Sequence, residues 1–96
     1  MEQITEGPVP LYYFDFHDGK PLRDREGIEC DDLESVRTEV MHALPEIAKG
    51  MIPHAGDRQA YTMVVRDENG VSIYTATLTF TGEWLGGERP VEPIAR

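Results

Sequence analysis

The chain has one cysteine, two serines, two lysines and no long apolar run, and each scarcity narrows what it can do. Cys30 alone cannot form an intramolecular disulfide or a cysteine-based zinc site. Its neighbours Glu29, Asp31 and Asp32 disfavour a thiolate, so it reads as a small apolar residue at a strand end rather than a nucleophile. Ser35 and Ser72 sit in no G-x-S-x-G elbow, which removes the usual hydrolase arrangement. Gly86-Gly87 is followed by glutamate and not by Lys-Ser/Thr, so it is no phosphate loop. With Lys20 and Lys49 as the only lysines and a net charge of -9, the surface repels phosphate backbones. No binding to nucleic acid is expected, although Arg23 and Arg25 make a small local cationic patch.

No apolar stretch approaches the roughly 18 residues of a membrane span. The opening "MEQITEGPVP" has neither the basic nor the apolar region of a secretory signal. The expectation is a soluble, cytoplasmic protein without membrane contact. No H-E-x-x-H, paired-cysteine or calcium-loop spacing occurs, so no metal and no cofactor is expected.

What is present is enough for one core. In 96 residues, 40% are hydrophobic, including four tyrosines, three phenylalanines and Trp84, which argues against disorder and for a single domain. Residues 1–10 read as an extended arm, 11–85 as the domain and 86–96 as a loose tail.

"LYYFDFHDG" alternates with period two. Tyr12, Phe14 and Phe16 take one face and Leu11, Tyr13, Asp15 and His17 the other, the pattern of a half-buried strand. Asp18-Gly19 is a turn signal. Lys20 to Cys30 returns as an edge strand made short or irregular by Pro21 and Gly27. "DDLESVRTEVMHALPEIAKGM" is a helix, with Asp31 and Glu34 as a capping box and Leu33, Val36, Val40, Leu44, Ile47 and Met51 in one apolar stripe. Pro45 falls on the solvent side, where it either bends the helix or divides it near Leu44.

"RQAYTMVVRDENGVSIYTATLTFTGEWL" is a hairpin, with a type I′ turn expected at Asn69-Gly70. Tyr61, Met63 and Val65 share a face with Tyr74, Ala76, Leu78 and Phe80. Val71 and Ile73 are off-phase, which predicts a bulge after the turn. The order β-β-α-β-β gives an α+β domain: a four-stranded antiparallel sheet of spatial order 2-1-3-4 with one helix on one face.

Several pieces taken together resemble a known family. Asp18-Gly19, Asp24 to Gly27, Asp32-Leu33-Glu34, Arg37, Glu39, "RDENG" from Arg66 to Gly70 and the closing "EWL" are similar to short, uncharacterised alphaproteobacterial proteins that share a domain of unknown function. The resemblance covers Leu11 to Leu85 and implies a fold and a bacterial setting, with no assigned activity. A looser similarity is to antitoxins of the HicB type, small β-β-α-containing domains that trap a ribonuclease. This chain lacks their DNA-binding helix pair.

Two candidate sites follow. Asp15 and His17 project from the same strand face, where Asp-x-His could supply metal ligands or a base with its orienting carboxylate; a solvated strand is the plainer reading. The second is the sheet face away from the helix, carrying Tyr13, Asp15, His17, Thr62, Val64, Arg66, Thr75 and Thr77. It is flat, β-branched and half apolar, suited to a protein partner or to a homodimer centred on Tyr13, Val64 and Thr77. A non-catalytic interaction or regulatory module is therefore expected. The alternatives are an antitoxin-like inhibitor of a ribonuclease and, more remotely, a metal-dependent enzyme.

Overall fold

A computed structural model describes residues 9–86, so the expected arm and tail lie almost wholly outside the described residues. One helix packs on an open antiparallel sheet of five short and long strands, the α+β architecture the alternation implies. The elements are β1 (Leu11–His17), β2 (Pro21–Leu22), β3 (Ile28–Glu29), α1 (Leu33–Met51), a 3-10 turn (Ile52–His54), β4 (Arg58–Arg66) and β5 (Ser72–Thr81). The sheet runs β2-β1-β4-β5, and β3 joins β1 on the same side as β2.

The expected second strand is two fragments, not one. β2 pairs Phe16 with Leu22, β3 pairs Leu11 with Glu29 and Tyr12 with Ile28, and the chain leaves the ladder between them. Leu22 and Ile28 are both exposed, so no apolar side chain on this edge pulls the intervening residues onto the core. Gly27, at φ 77, allows the chain to return beneath Leu11 and Tyr12.

Asp32, not Asp31, caps α1. Its Oδ1 accepts from Ser35 N–H at 2.8 Å, one residue later than the expected box, because Leu33 begins the helix. Leu33 is consequently exposed at 65% instead of lining the stripe, and Ala48 takes a buried place on it. The helix continues across the exposed Pro45 without a division near Leu44, and it passes Gly50 before ending in the 3-10 turn.

The core lies between the two layers. Phe14, Phe16, Tyr61, Met63 and Val65 from the sheet meet Val36, Val40, Leu44 and Ala48 from α1, with Cys30 closing one end. Tyr12, Tyr74, Ala76 and Leu78 pack against this set. Phe80, expected in the core, is 39% exposed near the end of β5.

The β4–β5 turn departs from type I′, which needs positive φ at two residues. Only Gly70 is left-handed, at φ 82, and Asn69 is not. Gly70 N–H donates to the Asp67 carbonyl, and the Asp67 carboxylate accepts from the N–H of Asn69 and of Val71. Asp67 thus does locally what a second left-handed residue would have done. The predicted bulge is present: Val65 pairs with Tyr74 and Arg66 with Ser72, which leaves Ile73 unpaired.

Candidate functional site

Strand pairing collects all eight residues of the outer face on one surface. β1 and β4 set Tyr13 beside Arg66, Asp15 beside Val64 and His17 beside Thr62. β4 and β5 extend these rows, placing Val64 beside Thr75 and Thr62 beside Thr77. Side chains on directly opposed residues share a face, so the rows form one continuous patch.

The charged corner of that patch is a closed unit. Arg66 Nε donates to Asp15 Oδ2 at 2.6 Å and Nη2 donates to Oδ1 at 3.1 Å, a two-point contact. Nη2 also donates to the Asp24 carbonyl, and the guanidinium lies 4.8 Å from the centre of the Tyr13 ring. Asp15 Oδ1 further accepts from Asp24 N–H. Hydrogen bonding to Arg66, helped by Asp24 N–H, holds the Asp15 carboxyl below the usual carboxylate range against the opposing effect of burial.

Asp24 is the residue that sequence reasoning overlooked as a structural centre. Burial acts to raise its pKa, but the N–H groups of Phe14, Glu26 and Gly27 outweigh it and hold the carboxyl low. This side chain ties the loop between β2 and β3 to β1. The signal was local: aspartate two and three residues before the donors, with glycine at the end, is an Asx-type turn.

Asp15 and His17 have separate partners. Asp15 is committed to Arg66, while His17 Nδ1 accepts from Gly19 N–H at 3.3 Å within the turn. His42 lies exposed on α1 and His54 in the 3-10 turn, on separate elements. Among the described residues, no three His, Cys, Asp or Glu side chains come together as metal ligands would.

The hydroxyls of the patch are already paired. Thr62 Oγ1 and Thr77 Oγ1 are 2.9 Å apart, and Thr75 Oγ1 donates to the Met63 carbonyl at 3.2 Å. Val64 sits between these rows, partly covered by them. Beside the patch, Asp15, Pro21, Leu22, Arg23 and Arg25 line an open recess of about 480 Å³.

On the helix side, Cys30 is buried, and burial followed by the charges of Glu39, Asp31 and Asp32 pushes its thiol pKa up. No helix among the described residues is long and apolar enough to cross a membrane.

Residues 11–79 match a family model described as "Domain of unknown function (DUF6894)". No curated protein and no solved structure matches the chain.

Proposed function

We propose that this chain, which belongs to the DUF6894 family, is a non-catalytic bacterial interaction module that binds a protein, in the cytoplasm, through the outer face of its sheet. The observation that carries this reading is the internal pairing of the polar groups on that face. Covering a surface costs most where hydroxyls or charges lose water without gaining a partner. Here Asp15 and Arg66 satisfy each other, and Thr62, Thr75 and Thr77 have partners within the sheet. A partner can therefore seat on Tyr13 and Val64 without orphaning the groups around them. Regulation of that partner is the role the proposal assigns.

A second reading, the antitoxin-like inhibitor, is favoured by the net charge of -9, which attracts a basic partner such as a nuclease. Both readings are tested by affinity purification from the native host with wild type and Val64→Lys, each first shown to be folded by circular dichroism. A protein retained by wild type and lost from Val64→Lys supports the outer face, and a basic identity for it selects the second reading. Equal recovery of every protein by both baits removes the outer face as the binding surface.

A further inference from the structure

We propose that the free edge of β5 pairs antiparallel with β5 of a second copy, joining two sheets into one. The contact uses the backbone edge of β5 and not the outer face itself, although Thr75 and Thr77 lie on both, and it does not depend on the reading given above.

β5 is the last strand of the sheet, and among the described residues no strand pairs with its outer edge. It is 10 residues long, "SIYTATLTFT". A strand of that length presents a row of backbone donors and acceptors to any extended chain. Natural edges are usually blunted by lysine, proline, inward-pointing charge or a bulge. β5 has no charged residue and no proline, and its one irregularity, at Ile73, lies near its beginning. The opposite side of the sheet is different. There β2 and β3 are two residues each, with Pro21 in the first and Glu29 in the second, so that edge is protected.

The choice of a second copy rests on charge and on side-chain fit. Two copies of a chain with net charge -9 repel each other over most approaches, yet from Val71 to Gly82 no residue is charged. The β5 edge is where like copies meet with least repulsion. Antiparallel pairing of identical strands is also closed by a two-fold axis, so the contact makes a dimer and not a fibre.

The side chains select a register. With Thr77 opposite itself across the axis, Tyr74 of each copy faces Phe80 of the other, and Ala76 faces Leu78. These are inner-face residues, and the Phe80 ring, 39% exposed, gains an aromatic neighbour. On the outer face, Thr75 then lies opposite Thr79. The two helices fall on the same side of the joined sheet.

The test combines mass in solution with site-specific crosslinking. Light scattering after gel filtration is expected to give twice the 10.8 kDa chain mass. Thr77→Lys, which sets like charges against each other at the axis, is expected to return the monomer mass with an unchanged circular dichroism spectrum. In the wild-type background, where Cys30 is buried, Thr77→Cys treated with a short bis-maleimide should crosslink into dimers and Val64→Cys should not. A monomeric wild type at 100-micromolar-order concentrations overturns the proposal and leaves the edge to another occupant. So does a dimer that crosslinks through Val64→Cys, with or without Thr77→Cys, because stacked outer faces would bring both positions together. A dimer that Thr77→Lys fails to dissociate also overturns it.

Discussion

Arg66 grips both oxygens of the Asp15 carboxylate, at 2.6 and 3.1 Å, across 51 positions of sequence. The contact locks β4 to β1 on the outer face at the level where Tyr13 and Asp24 also converge on the guanidinium. It makes one carboxylate that looked reactive into a fastening.

Acid should therefore loosen the fold in a defined window. Asp15 and Asp24 both have folded-state pKa values held below their ordinary values. A depressed carboxylate contributes stability that is present above its unfolded pKa, about 3.9, and is lost as pH falls through the lower folded value. Urea midpoints are expected to change little in the neutral range and to decline below about pH 4–5. Asp15→Asn should flatten part of that decline, and an identical acid limb in the variant would contradict the assignment.

The two faces of β1 should differ sharply in their tolerance. Phe14 is buried against α1, so Phe14→Ala is expected to cost about 3–5 kcal/mol and to threaten folding in a domain of this size. Tyr13→Ala removes the ring beneath Arg66, with an expected loss of about 0.5–1 kcal/mol. Chemical denaturation of the two variants side by side measures the difference.

Gly27 should be the least replaceable of the left-handed glycines. A Cβ there would lie 2.9 Å from Leu11 Cγ and 3.1 Å from the Tyr12 carbonyl oxygen, at φ 77. Gly19, also left-handed, has open space around it. Gly27→Ala is expected to cost more than about 2 kcal/mol, and Gly19→Ala roughly 1. Comparable thermal midpoints for the two variants would count against the close approach.

Tyr61→Phe should be neutral or stabilising. The Tyr61 hydroxyl is buried and has no hydrogen-bond partner among the described residues, while its ring stacks on Phe16 with centroids 6.2 Å apart. Removing the oxygen relieves an unpaired buried dipole and keeps the stacking, so a gain of up to about 1 kcal/mol is expected. A loss beyond about 1 kcal/mol would show that the hydroxyl has a partner, such as an ordered water.

Cys30 should behave as core. Native protein is expected to react slowly with a thiol reagent at neutral pH, since burial and three nearby carboxylates oppose the thiolate. Cys30→Ser should cost about 1–2 kcal/mol. Labelling as fast as in denatured protein would refute the buried, protonated state.

The sequence by itself determined what depends on periodicity. Alternation in "LYYFDFH" and "AYTMVV" separates Phe14, Phe16, Tyr61, Met63 and Val65 from Tyr13, Asp15, Thr62 and Val64, and burial follows that division. A strand's period of two and a helix's period near 3.6 are local geometry, so they are readable without neighbours. The helix, the bulge at Ile73 and the shared outer face all come from this source.

Tertiary structure decided which groups meet. Asp15 adjoins His17 in a reading of one strand, but its partner is Arg66, and that choice is set by the register of β1 on β4. Register is imposed by packing Phe14 and Phe16 against Val65 and Met63, an event that no local pattern around Asp15 encodes. The division of the edge strand has the same origin: Leu22 and Ile28 are apolar enough to suggest one strand, but between the paired fragments Phe14 N–H donates to the Asp24 carboxylate from across the loop. Exposed Phe80 and Leu33 belong here too: both fit their apolar stripes by periodicity, and their exposure is a property of the assembled layers that periodicity does not carry.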